Sequence, residues 1–162
     1  MNSLKAIVIS VVVLIVGFLG YNVTTGPDVG GMSIRQVMPE VAVFDGVVAT
    51  TSSARYDVAS YRHVTFFLTT ADSFVGTVKV KGSEQANVDF TSAQSATNRW
   101  DYVQAKILDT GATINGVTGV AFTGTDNHVL YEVNTNYLKN IGFETSDYTT
   151  GTVSIFLSGA ND

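Results

Sequence analysis

With 162 residues, 45% of them hydrophobic and only 14% charged, the chain has room for one domain plus a short appendage, and too little charge for a disordered one. A net charge of −5 offers no basic stripe for phosphate contacts, which argues against nucleic acid as a partner. Cysteine is absent, which removes disulfides, thiolate nucleophiles and cysteine-ligated zinc together.

The first organised stretch is apolar. From Ala6 to Val23 no residue is charged, and Ala6, Ile7, Val8, Ile9, Val11, Val12, Val13, Leu14, Ile15, Val16, Phe18 and Leu19 supply its hydrophobic surface. As a helix rising about 1.5 Å per residue, the run spans roughly 27 Å, close to the hydrocarbon thickness of a bilayer. Lys5 flanks it on one side and the next charge is Asp28, a bias that places the N-terminus inside and the rest of the chain outside. Three readings fit: a retained membrane anchor, a helix packed into a polymer core as in pilin-like filament subunits, or a cleaved secretory signal. Phe18 and Gly20 make a poor cleavage site, and the run lacks the early acidic residue that type IV pilins usually carry. A retained helix over residues 1–25 is the expectation, followed by a linker over 26–32 in which Gly26, Gly30 and Gly31 break helical continuity.

Over residues 33–162 the pattern changes to period two, the signature of strands. Val64, Phe66 and Leu68 alternate with Thr65, Phe67 and Thr69, while Val153, Ile155 and Leu157 alternate with Ser154 and Phe156. Val78 and Val80 alternate with Lys79 and Lys81, which predicts a face exposed to water. The expected strands cover 34–44, 47–50, 56–58, 62–70, 74–81, 99–107, 112–115, 117–122, 128–133, 138–143 and 151–158. Asn115-Gly116 between β-branched arms predicts a hairpin with a type I′ turn, and Asp45-Gly46 and TTGT at 149–152 predict two further turns. Segment 84–98 is the least regular and reads as a loop with a short edge strand. Short strands without intervening helical patterns predict an all-β fold, an antiparallel β-sandwich of jelly-roll type behind the single N-terminal helix.

Candidate chemistry is sparse. Glu84, Glu132, Glu144 and Asp147 are the carboxylates that a cleft could pair, as glycoside hydrolysis requires, but isolated acids are usually solvated. His63 and His128 each sit at a strand start. The loop TGTDN at 123–127 could offer oxygens to calcium but lacks the spacing of a calcium loop, and NVT at 22–24 matches a glycosylation triplet. No catalytic, cofactor or metal residues are therefore assigned. Aromatics near strand ends are the better candidates, because Tyr and Trp favour interfaces and sugar-stacking surfaces. Tyr56, Tyr61, Tyr102, Tyr137 and Tyr148 are the candidate interaction residues, with Trp100 and Tyr131 expected in the core.

Two stretches, YRHVTFFLTTADSFVGTVKVKGS at 61–83 and VLYEVNTNYLKNIGFETSDYTTGTVSIFLSG at 129–159, resemble small β-sandwich structural proteins encoded in phages and prophages. The resemblance implies a sandwich fold and a structural role, and carries over no functional residues. The expected function is a non-enzymatic structural protein of a virion or surface assembly. Its helix would sit in a membrane or assembly core, and its outward-facing domain would contact like copies or other subunits. A membrane-anchored cell-surface module binding glycan or protein, a pilin-like filament subunit and an anchored hydrolase are the alternatives. Removing residues 1–25 should leave a folded domain that no longer joins its assembly. Val12→Arg should act nearly as strongly, since a charge at a helix centre costs about 2.5–3.5 kcal/mol on insertion. Fractionation of both variants against the full chain reads the outcome, and unchanged partitioning would reject an anchoring role.

Overall fold

A computed structural model describes residues 36–161, and within them the chain is all-β and antiparallel, with no helix. The expected N-terminal helix and linker lie outside the described residues. Ten strands follow in order: β1 Gln36–Val47, β2 Thr51–Ser52, β3 Tyr56–Asp57, β4 His63–Ser83, β5 Asp101–Tyr102, β6 Ala105–Ile107, β7 Thr113–Ile114, β8 Val120–Thr123, β9 His128–Asn134 and β10 Asn140–Asn161. All belong to one hydrogen-bonded sheet with the path β1-β10-β4-β9-β6-β7, and β2 and β3 join β10 while β5 and β8 join β4. The strands thus form a single continuous sheet where two separate ones were expected.

Two long strands organise this sheet. β4 and β10 pair from Asn140 opposite Ser83 to Ala160 opposite His63. The sequence pattern predicts 62–70 and 74–81 as separate strands, and likewise 138–143 and 151–158, with breaks between them that include the TTGT turn at 149–152. In the structure these are irregularities inside continuous strands. Asp72 and Ser73 have φ of +56° and +58°, Asp147 has +54° and Gly151 has +78°, and the pairing register shifts between Ser146 and Thr152. Such interruptions bend a strand pair without ending it. On one side of the bend β1 and β9 flank the pair, and on the other β2, β3, β5 and β8 do.

The bend lets the sheet bury its own inner face. Val64, Phe66, Leu68, Val153, Ile155 and Leu157 from one half and Val78, Val80, Ile141 and Phe143 from the other share one core. Phe66 stacks on Tyr131 with ring centroids 4.9 Å apart and meets Phe143 edge-on at 5.0 Å, a contact that joins the two halves. At the bend itself Phe74 is fully buried and packs on Phe122 and Tyr148. Asp126, raised above as a calcium ligand, instead accepts the Ser73 N–H at 3.0 Å, and Asn127 exchanges bonds with Thr70. The TGTDN loop is therefore a strut for the bend.

Three further expectations are corrected. Asn115 and Gly116 have no positive φ, so they do not form a type I′ turn. Asn115 instead accepts the N–H groups of Val117 and Thr118 through its side chain and that of Gly119 through its carbonyl, and Gly119 takes the positive φ. The flanking strands β7 and β8 pair with β6 and β4, not with each other. Gly116 is required for closeness, since an added Cβ would lie 2.7 Å from the backbone of Tyr102 and Val103. Gly46, expected in a chain-reversing turn, lies within β1 at a register shift between Phe44 and Val47. The predicted strand 99–107 is divided into β5 and β6.

Gly151 and Gly46 share a left-handed backbone but differ in surroundings. A Cβ on Gly151 would lie 2.4 Å from Phe74 Cα, whereas one on Gly46 meets nothing within 4 Å. Gly46→Ala should therefore cost about 1 kcal/mol from φ alone, and Gly151→Ala roughly 2–4 kcal/mol because the backbone at the bend must also move. Thermal unfolding of the two variants checks this, and equal losses would show that the bend tolerates a side chain.

Candidate functional site

Beyond the bend, the outer face of β4 and β10 carries Lys79, Lys81, Gly142 and Glu144. Its alternation with valine predicted a solvated surface, yet Lys81 is only 3% exposed and Glu144 only 17%. The cover comes from segment 84–102, which joins the irregular stretch 84–98 to the start of the predicted strand 99–107. Val88 and Phe90 are buried, and the Phe90 ring occupies the space where a Cβ on Gly142 would lie 2.5 Å away. A glycine inside a strand often marks such an approach, and Gly142 between Ile141 and Phe143 was the available signal. Before β5 the segment has no ladder pairing beyond a Ser95–Asn98 bridge. The Asp89 carboxylate accepts from Thr91 and Ser92, while the Asn98 side chain accepts the Asp89 N–H and donates to the Asp89 carbonyl.

Lys81 is fully partnered there. Its Nζ lies 2.6 Å from Glu144 Oε2, donates to Ser52 Oγ and the Phe90 carbonyl at 2.9 Å each, and sits 4.2 Å from the Trp100 ring centroid. Glu144 stands diagonally across the ladder, since Lys81 is opposite Gly142 and Lys79 is opposite Glu144. Tyr102 donates its hydroxyl to both Glu144 oxygens at 3.0 and 3.2 Å. Burial first, and then the adjacent carboxylate, push the Tyr102 phenol up to about 12. With every polar group satisfied internally, the cluster fixes segment 84–102 onto the sheet.

The candidate aromatics divide accordingly. Tyr56, Tyr61 and Tyr148 pack partly buried against the core, and Tyr102 belongs to the lysine cluster. Tyr131 is in the core as expected, while Trp100, expected there too, is half-buried over Lys81. Tyr137 is different: it is 97% exposed with φ of +72°. A bulky residue held in that region stores about 1–3 kcal/mol of strain, which accumulates at functional loops more than elsewhere. Tyr137 lines an open groove of about 570 Å³ together with Ser60, Tyr61, Arg62, Asn136 and Lys139. Thr135 anchors the groove's floor by donating its hydroxyl to the Tyr61 carbonyl at 2.6 Å, and the Lys139 N–H bonds the Ser83 carbonyl. Arg62 and Lys139 are the site residues missed in the sequence, because nothing there brings the 59–62 and 135–139 loops together.

The four carboxylates do not meet as a pair. Glu84 bonds Arg99, Glu132 faces His63 Nδ1 at 3.5 Å, Glu144 holds Lys81, and Asp147 accepts from Ser146. His63 and His128 do start β4 and β9, and His128 Nδ1 lies 2.7 Å from Thr69 Oγ1. Among the described residues no group of three or more acids and histidines is placed to hold a metal ion, and no helix is long and apolar enough to cross a membrane.

Lys81→Met should cost about 3–5 kcal/mol, because it strands Glu144 partly buried beside the Tyr102 hydroxyl. Adding Glu144→Gln should recover part of that loss, as chemical unfolding would show. The folded state holds the Tyr102 phenol above its ordinary 10.0, so the stability it protects is complete below that pH and is lost as pH rises through about 12. Tyr102→Phe should flatten this alkaline decline, and an unchanged profile would detach Tyr102 from it.

No protein-family model matches the sequence, and no curated protein matches it either. Among solved structures the chain is similar to the crystal structure of SPBc2 prophage-derived protein YomS, at 11% sequence identity and a TM-score of 0.60, with 80% of this chain and 97% of that chain covered. At that identity the likeness is one of fold, and it gives the phage-type resemblance of the two β stretches a structural counterpart.

Proposed function

We propose that the chain is a non-enzymatic structural protein of a phage-related virion or surface assembly. Its bent sheet serves as a β-sandwich that contacts neighbouring subunits, and its apolar segment over 6–23 forms a helix held in a membrane or assembly core. A fold shared with a prophage-derived protein supports the setting. The observation that carries the reading is an apolar row on the outer surface of the sheet. Phe67 and Leu130 stand opposite each other on β4 and β9, and both are exposed. Leu108 beside them bonds the Leu130 carbonyl through its N–H and is exposed as well. Solvent-facing positions in an antiparallel sheet are ordinarily polar, so large side chains paired there favour cover by another surface. The low charge and abundant Thr, Ser and Asn of the chain suit a surface built for packing rather than for catalysis.

The test is assembly of the full chain in detergent and after its removal, followed by electron microscopy and sedimentation. Phe67→Lys combined with Leu130→Lys should abolish ordered assembly while shifting stability by no more than about 1 kcal/mol, since both side chains face outward. Assembly that persists in this variant would remove the row from the subunit contact.

A further inference from the structure

The groove at the 59–62 and 135–139 loops adjoins the start of β4 and the end of β9, and differs in chemistry from the apolar row carried on those strands. The chain is acidic overall, with 14 acids against 9 Lys and Arg, yet the groove lining holds Arg62 and Lys139 and no carboxylate. Both cations are exposed, and among the described residues neither lies within ion-pairing distance of an acid. Two cations with no ion-pair partner among the described residues, in a chain of opposite sign, make a local attraction for anions. Beside them Tyr137 presents almost its entire ring to solvent from a backbone conformation that tyrosine disfavours. An exposed ring suits the apolar face of a sugar, and the hydroxyl of Ser60 and the side-chain amide of Asn136 supply the small neutral hydrogen-bonding groups that sugar hydroxyls need.

We propose that this groove binds an acidic carbohydrate, with a sugar ring stacked on Tyr137 and its carboxylate held by Arg62 and Lys139. The volume of about 570 Å³ falls in the range of small-ligand sites, about 300–1,000 Å³, and its open form admits a segment of a longer polymer. A nucleic acid fits less well: the groove offers one fully exposed ring and two cations, not the row of stacking platforms along a basic channel that a single strand uses. The inference does not depend on the subunit-contact role of the sheet.

The experiment titrates the full chain with an oligogalacturonate, monitoring affinity by calorimetry and contacts by NMR. The parallel probes are a neutral malto-oligosaccharide of equal length, inorganic sulfate and a single-stranded oligonucleotide. The oligogalacturonate should bind saturably, at least about tenfold more tightly than the neutral sugar, and weaken with added salt. Shifted resonances should fall in residues 59–62 and 135–139. Tyr137→Asn, chosen because asparagine tolerates the same positive φ, should lower affinity about tenfold with folding intact. Arg62→Gln with Lys139→Gln should remove both the preference for the acidic sugar and the salt dependence. Absence of saturable binding, shifts elsewhere on the chain, or indifference to either variant would overturn the proposal. Equal binding of sulfate or of the neutral sugar would overturn the paired recognition of ring and charge, and tighter binding of the oligonucleotide would overturn the ligand class.

Discussion

The ladder between β4 and β10 is the element from which the rest of the structure takes its position. Each of the two strands is 21 or 22 residues long, and a flat pair of that length would expose one apolar face along its whole extent. Asp72, Ser73, Asp147 and Gly151 let the pair bend together, so the inner face of one half covers that of the other. Phe74 fills the inside of the bend and leaves no room for a Cβ on Gly151. Burial of apolar area drives the closure, while the backbone bonds of the ladder continue through it. Flanking strands then attach in sets, β1 and β9 on one side of the bend and the shorter β2, β3, β5 and β8 on the other.

On the far half the sheet is covered on both faces, and this is where electrostatics enters the interior. Burying an ammonium group costs several kcal/mol unless it is paired and its remaining donors are satisfied. Lys81 meets that condition with Glu144, Ser52 and the Phe90 carbonyl, and Trp100 adds its ring face. Such an arrangement confers specificity more than stability: segment 84–102 has few ladder bonds, and the lysine gives it one place to sit. In the same segment the hydroxyls of Ser92 and Thr91 and the Thr91 N–H hold the Asp89 carboxyl down to about 2.

The two surfaces assigned to binding sit on different parts of this framework. Phe67 and Leu130 lie on regular strands, where neighbours fix the spacing of outward side chains; that suits repeated contact with a fixed partner. Arg62, Tyr137 and Lys139 sit on loops at the sheet's end, held from beneath by Thr135 and by the bond between Lys139 and Ser83. Loops carried by a rigid scaffold are where a chain can keep a strained residue such as Tyr137 without loss of the fold.

The all-β class was legible in the sequence because side chains alternate across a strand wherever one face is buried: Val64, Phe66 and Leu68, and Val153, Ile155 and Leu157, occupy the core that their period predicts. The apolar character of residues 6–23 was likewise plain from composition. Continuity of β4 and β10 was not, since Asp, Ser, Gly and Thr serve turns and bulges alike, and only the partner strand decides between them. Asn115-Gly116 shows the same limit: local chemistry offers a hairpin, whereas the close approach of Tyr102 and Val103 selects a different turn. The misread face of Lys79 and Lys81 has one cause, the distant segment 84–102 laid over it. Tertiary structure alone decided the groove, because Arg62 and Lys139 are brought together by pairing between strands that period-two patterns identify but cannot order. A strand's pattern records which face is buried, and what buries it is set by contacts far apart in the chain.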